Sequence, residues 1–231
     1  MKHTANWRAQ VFEEGYGIVP EAVGRPTIEE LRSVFQEGEF KRSRAGIRHL
    51  MAHGCVANIA SSKGLLAIAK QILGETAVPF RATLFDKSGS SNWLVAWHQD
   101  TALPLSDRRE ADGWGPWSVK EGIVYAHAPA QALERVLAVR LHLDDSDMDN
   151  GPLRVLPKTQ CMGVLTDEEV HGLSEKIQAV DCPVGAGGIV LMRPLVVHAS
   201  SKALSEKPRR VLHIEYAESR ELFDGVELAM A

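Results

Sequence analysis

Three side chains carry the chemistry of this sequence: His98, Asp100 and His198. His98 and Asp100 close the stretch W-L-V-A-W-H-Q-D at residues 93–100. Trp93, Val95 and Trp97 alternate there with Leu94 and Ala96, the period-2 pattern of a strand. The same alternation carries the His98 imidazole and the Asp100 carboxylate to one face and turns Gln99 to the other. Two such donors can share a metal ion if a third comes from elsewhere. His198 is the candidate, because it ends a second apolar run, I-V-L-M-R-P-L-V-V-H, a hundred residues further on. Two histidines and a carboxylate on one side of a metal leave the opposite positions open. That arrangement suits Fe(II) that must also bind a cosubstrate and dioxygen. An isolated H-x-D pair is most often a surface histidine beside a solvated aspartate. Here both histidines end apolar strands, and an arginine pair, Arg209 and Arg210, follows the second.

The elements that must position these residues are mostly strands after residue 78. Phe80, Ala82 and Leu84 alternate with Arg81, Thr83 and Phe85, and turn residues at 88–92 lead into the metal strand. Over 135–143, Leu137, Val139, Leu141 and Leu143 share one face, and Ala138, Arg140 and His142 the other. The segment D-D-S-D-M-D-N-G, 144–151, reads as a solvated acidic turn in which Asn150-Gly151 favours positive φ. It lacks the distal glutamate of an EF-hand loop. A short strand returns at 153–156, and 166–177 is a short helix or surface loop. After a glycine turn at 185–188 come strands at 189–197 and 210–216. Nothing alternates as βαβ, so the expected fold is mainly β with flanking helices, an antiparallel jelly roll with its site at the mouth.

Before residue 78 the pattern is helical. The T-x-x-E of Thr27 and Glu30 predicts a capping box, with Leu31, Val34 and Phe35 following and Gly38 as the stop. Residues 44–60 predict a helix broken near Gly54, with His49 and His53 on one partly exposed face. Residues 62–73 predict a firmer helix, and 1–26, dotted with Gly and Pro, an irregular N-terminal segment. No domain boundary follows Gly74, so 1–231 reads as one domain, with 1–77 mostly helical and 78–217 the β core.

Residues 101–131 form a long connection without clear periodicity. Its aromatic residues argue against disorder. Trp114 and Trp117 either wall the pocket or pin the loop to the core. With Arg140 they are the candidate substrate contacts.

At 45% apolar and 24% charged, the composition is that of an ordinary globular protein. A net charge of −4 gives no general attraction to nucleic acid or anionic membranes. No apolar run has transmembrane length and the first residues lack a signal-peptide core, so a cytoplasmic location is expected. Cys55, Cys161 and Cys182, an odd number widely spaced, suit reduced thiols.

W-H-Q-D at 97–100, D-N-G-P-L at 149–153, H-A-S at 198–200 and P-R-R-V-L-H-I-E-Y at 208–216 resemble the phytanoyl-CoA dioxygenase family. That resemblance covers roughly 78–217. It implies a double-stranded β-helix, a cupin-like barrel, that uses Fe(II), 2-oxoglutarate and dioxygen on a small-molecule substrate and releases succinate and carbon dioxide. It implies His98, Asp100 and His198 as iron ligands. It also implies an arginine eleven residues after the distal histidine, here Arg209, for the far carboxylate of 2-oxoglutarate, with Ser200 as a hydrogen-bonding partner. The pleat competes with that spacing. Arg210 alternates with Leu212, Ile214 and Tyr216, so if the barrel interior is the apolar face, Arg210 is the binder. The P-G-S-H common in the family is here P-K-T-Q, 157–160, which bears on the local turn and the pocket rim. Halogenating relatives replace the carboxylate ligand, whereas Asp100 is present. The rivals are a cupin-like isomerase or hydrolase that does without 2-oxoglutarate and a non-catalytic binding protein of the same fold.

Overall fold

The computed structural model describes residues 6–38, 40–41, 46–87, 92–223 and 225–231. The chain begins with α1 (Trp7–Glu14), β1 (Tyr16–Val19), α2 (Arg25–Glu37), α3 (Gly54–Ala60) and α4 (Lys63–Leu73). The first strands of the core follow: β2 (Val78–Lys87), β3 (Val95–His98), β4 (Ala102–Leu105), β5 (Trp117–Lys120) and β6 (Ile123–His127). Then come α5 (Ala130–Leu133), β7 (Val136–His142), β8 (Leu153–Leu156), α6 (Asp167–Lys176), β9 (Val180–Cys182), β10 (Ile189–Met192), β11 (Val197–Ser200) and β12 (Arg209–Ala217). A small hairpin, β13 (Glu221–Phe223) and β14 (Val226–Glu227), ends the chain.

Two antiparallel sheets face each other. The larger runs β1-β10-β7-β12-β2 and the smaller β3-β11-β8-β9. This is the expected jelly roll with flanking helices. The N-terminal helices cover the outer face of the larger sheet. Leu31 and Phe35 of α2, Val56 of α3 and Leu65 and Ala69 of α4 share one core with Ala82, Leu84, Leu137, Val139, Leu212 and Ile214. Helix α6 covers the outer face of the smaller sheet, with Val170 against Leu156, Val197 and Trp97. Between the sheets lies a shorter apolar floor of Leu153, Val155, Val190 and Met192. Among the described residues, no helix is long and apolar enough to cross a membrane.

Several expectations change in detail. From residue 6 on, the N-terminal segment contains regular elements: Gly15, at φ 84, ends α1 in the left-handed conformation, and β1 becomes an edge strand on β10. Helix α2 starts two residues before Thr27, on Gly24 with Pro26 in its first turn, so the T-x-x-E at Thr27 caps nothing. The capping box forms instead at Thr166 and Glu169 of α6, which has the same spacing. Gly54 starts α3 rather than breaking a helix, and His49 lies outside any helix with φ 58 and ψ 38. The metal strand begins at Val95, not Trp93. The turn expected at 88–92 falls, except for Asn92, outside the described residues.

Two revisions concern the site directly. The run I-V-L-M-R-P-L-V-V-H is two strands in different sheets, β10 and β11. Pro194 has no N–H for a ladder and restricts Arg193 before it, so the chain crosses over there. The connection 101–131 is not irregular: β4, β6 and β5 form a three-stranded sheet of their own.

Candidate active site

His98 ends β3 and His198 is the second residue of β11. The two strands pair antiparallel with these residues directly opposite each other. Their ring centroids are 4.2 Å apart. Asp100 lies just past β3, held by a hydrogen bond from its backbone N–H to the Pro194 carbonyl at 3.0 Å. Its Oδ1 is 3.6 Å from His98 Nε2 and its Oδ2 3.5 Å from His198 Nε2. One ligand atom from each of the three lies within 4.8 Å of the others.

The surroundings select the tautomer a metal needs. His98 Nδ1 is 2.8 Å from the Ala96 carbonyl and His198 Nδ1 3.0 Å from that of Val196. A carbonyl only accepts, so each Nδ1 carries the proton and each Nε2 offers a lone pair inward. Burial pushes the His198 imidazole down to about 4, against the pull of Asp100, so it is neutral at pH 7. Burial works against charge on Asp100 too, but the His198 and His98 rings outweigh it and hold the carboxyl well below its usual range.

Neighbouring residues fix the two strands. Gln99, turned outward as the pleat requires, donates to the carbonyls of Leu195 (2.7 Å) and Gly163 (2.9 Å) and accepts from the Leu165 N–H. The Thr159 hydroxyl donates to Leu156 O and accepts from the Val197 N–H at 2.8 Å. The P-K-T-Q stretch therefore anchors the strand of the distal histidine.

A cavity of about 520 Å³ opens on this triad. Phe85, Trp93, Leu94 and Leu153 make its apolar side. Lys87, Arg140 and Arg209 make its polar side, and among the described lining residues Asp100 is the only carboxylate. Arg209 is 2% exposed. Its Nε donates to Asn150 O at 3.1 Å and one Nη to Ser200 Oγ at 3.3 Å, while the other Nη is buried without a partner. Burial, then Arg140, pushes the guanidinium down to about 9. Arg210 points the other way and chelates Asp144, Nε to Oδ2 at 2.8 Å and Nη2 to Oδ1 at 2.9 Å.

The acidic turn is thus less solvated than expected. Asp144 and Asn150 are buried, the first against Arg210 and the second offering its carbonyl to Arg209. Gly151, at φ 69, lets the turn close, since a Cβ there would lie 2.3 Å from the Ser201 carbonyl oxygen.

Lys87 is the residue the sequence reading missed. It pairs across the sheet with Arg209, and its Nζ donates to Ser200 Oγ (2.8 Å) and the Ser201 carbonyl (2.7 Å). Burial, then the charges of Arg209 and Arg140, pushes it down to about 7. The signal was available in the pleat, because Lys87 follows Arg81, Thr83 and Phe85 on one face of β2. Ser200 is the hub of this corner. Its own proton goes to Gly151 O at 2.9 Å, while its oxygen accepts from both Lys87 and Arg209.

Of the three candidate substrate contacts, only Arg140 lines the cavity. It sits 5.4 Å from the Phe85 ring centroid and 3.1 Å from His213 Nδ1. Trp114 is buried in a separate core with Leu103, Leu105 and Ala126, and Trp117 packs against that core. These tryptophans do for the three-stranded sheet what a core does, which is why neither lines the cavity.

The phytanoyl-CoA dioxygenase family model matches residues 21–211, more than four-fifths of the chain. The chain belongs to the phytanoyl-CoA dioxygenase family. It is an Fe(II)/2-oxoglutarate-dependent oxygenase, an oxidoreductase acting on a small molecule. Over 243 aligned residues it is 24% identical to L-proline trans-4-hydroxylase of Streptomyces griseoviridis, covering 88% of this chain and 82% of that one. Solved structures of similar fold include EctD from S. alaskensis with 2-oxoglutarate and 5-hydroxyectoine (TM-score 0.72, 17% identity, 95% of this chain and 77% of that one). Another is the epimerase SnoN in complex with Fe3+, alpha ketoglutarate and nogalamycin RO (TM-score 0.68, 17% identity, 93% and 83%). Within this family membership, the cavity's donor set fits both iron and 2-oxoglutarate. Two imidazoles and a carboxylate converge on one point, and an unpartnered arginine N–H lies in the same cavity.

Proposed function

We propose that His98, Asp100 and His198 hold the iron, that Arg209 takes the distal carboxylate of 2-oxoglutarate, and that the reaction is a dioxygen-dependent hydroxylation of a small organic substrate. One observation carries this reading. Three cations, Lys87, Arg140 and Arg209, line a cavity with a single carboxylate, and two of them hold buried N–H groups without partners. Uncompensated buried charge is costly, so the cavity suits a dianion beside the metal.

Bound iron would activate dioxygen, the oxidant, one oxygen atom going into succinate as 2-oxoglutarate loses carbon dioxide and the other to the substrate. The chain's own residues prepare that chemistry. Ala96 and Val196 hold the two imidazoles in the ligating tautomer. Arg209 offers its free N–H to the carboxylate, and a guanidinium fork matches that group's geometry. Ser200, with its proton committed to Gly151, sets the positions of Lys87 and Arg209. Phe85, Trp93 and Leu153 keep that corner apolar, which strengthens the charge contacts.

The test is anaerobic addition of Fe(II) and 2-oxoglutarate, followed by air. A visible charge-transfer band and then succinate release are expected from the wild type. His98→Ala and His198→Ala should lose both while keeping the β-sheet circular dichroism. Near wild-type turnover in either variant removes that residue from the site. The similarity to L-proline trans-4-hydroxylase makes free L-proline the first substrate to try.

A further inference from the structure

Of the three cations that line the cavity, Arg140 is the one bonded outside the Ser200 corner. Lys87 and Arg209 meet at Ser200, and Lys87 has that hydroxyl and the Ser201 carbonyl as acceptors. Arg140 comes from β7, which pairs it with His213 of β12. His213 stands four residues past Arg209, about 13 Å along a strand.

Two contacts fix how Arg140 is presented. Its guanidinium lies 5.4 Å from the ring centroid of Phe85, itself a cavity residue. Its Nη1 is 3.1 Å from His213 Nδ1. A guanidinium only donates, so Nδ1 accepts and the His213 proton sits on Nε2. Burial, then the charge of Arg140, holds that imidazole neutral. Its Nε2 faces Glu215 Oε2 at 3.8 Å, and Glu215 is ion-paired to Arg81. His213 therefore orients Arg140 without cancelling its charge. The guanidinium edge formed by Nε and Nη2 is left over. Nε is buried without a partner, and Arg140 as a whole is 7% exposed.

Among the described residues, Arg140 makes no ion pair. Burial pushes its guanidinium down, against the pull of Asp100 and the Cys182 thiol. Asp100 belongs to the triad, and burial pushes the Cys182 thiol up to about 12, so it is uncharged at pH 7. 2-Oxoglutarate brings two carboxylates. On the reading above, Arg209 takes the distal one and the metal neutralises the other. Arg140 then still offers the cavity a charge and a two-pronged edge, which matches the two oxygens of a carboxylate. The apolar side of the same cavity, Phe85, Trp93, Leu94 and Leu153, suits the body of such a molecule.

We infer that Arg140 binds the carboxylate of the substrate through its Nε–Nη2 edge, which makes small organic acids with an apolar body the substrate class. The inference rests on the oxygenase reading above.

The experiment uses the Fe(II) enzyme with 2-oxoglutarate under anaerobic conditions and measures binding by calorimetric titration. The probes are L-proline, benzoate and cyclohexanecarboxylate, each beside its primary amide. The acids should bind and their amides should not, and in air the acids that bind should raise succinate release above the substrate-free rate. Arg140→Gln, which removes the charge, should weaken acid binding about tenfold or more, as loss of a charged hydrogen bond does. Arg140→Lys should recover part of that loss. The 2-oxoglutarate Kd, read from the charge-transfer band, should change much less than the acid Kd in both variants, which also shows that they fold. Amides that bind as tightly as acids overturn the inference, and so does an Arg140→Gln variant with unchanged acid binding. If that variant loses more affinity for 2-oxoglutarate than for acid, Arg140 serves the cosubstrate and the inference fails. It fails too if no acid binds although the band forms, or if acids bind without raising succinate release. A wild type without the band overturns the oxygenase reading itself, and this inference with it.

Discussion

Arg209 and Arg210 are neighbours on one strand, yet they live in different environments. Arg210 faces outward from the barrel and is saturated by its own acid, Asp144, with a chelate of 2.8 and 2.9 Å. Arg209 faces the interior, has a backbone carbonyl and a hydroxyl for partners, and keeps one N–H unpaired. A guanidinium with a complete carboxylate partner is structural. One with an unpaired N–H, beside Lys87 and Arg140, suits the anion-binding role proposed for it. The difference arises because the two faces of β12 meet different things, helices on one side and a polar cavity on the other.

The sharpest way to break this comparison is to truncate each arginine in turn. Arg209→Ala should weaken 2-oxoglutarate binding by a hundredfold or more, since losing one partner of a buried ion pair costs about 3–5 kcal/mol. Titration of the charge-transfer band under anaerobic conditions measures it. Arg209→Lys keeps the charge but not the fork, so its loss should fall between wild type and the alanine variant.

Arg210→Ala should leave that titration nearly unchanged and appear in stability instead. Asp144 would keep Arg32, at 3.3 Å, and the backbone N–H of residue 210, at 2.9 Å, so about 1–2 kcal/mol is expected from denaturant unfolding, reduced because the pair is partly open to solvent. If the Arg210 variant takes the larger loss in 2-oxoglutarate binding, the assignment of the two arginines is reversed.

The smallest expected effect belongs to Lys87, whose amine is pushed down to about 7. A dianion favours the protonated amine, so binding takes up a proton and must weaken as pH rises through that value. The 2-oxoglutarate Kd should increase severalfold between about pH 7 and pH 9. Lys87→Met should flatten this slope while leaving Arg209 as the main anchor. A wild-type Kd independent of pH would separate Lys87 from the anion.

The sequence alone singled out the proposed metal triad, because an H-x-D pair on a strand puts two donors on one face by pleat geometry and His198 ends the other apolar run. It determined the fold class as well, since period-2 patterns without βαβ alternation leave few architectures. Local codes were weaker. Thr27–Glu30 and Thr166–Glu169 have the same capping spacing, yet only the second caps a helix, because Pro26 lets α2 begin earlier. The choice between the arginines lay beyond the pleat argument, which equated the apolar face with the barrel interior. In this fold the apolar face of β12, with Leu212, Ile214 and Tyr216, is the outer one, buried under the N-terminal helices. The interior carries Arg209, His213 and Glu215, because a cavity rather than a packed core takes up part of it. Only the tertiary structure decides which of two buried faces meets helices and which meets the cavity. The same holds for Trp114 and Trp117, whose sheet has a core of its own, and for Lys87 and Ser200, which meet Arg209 only once β2, β11 and β12 close around one corner.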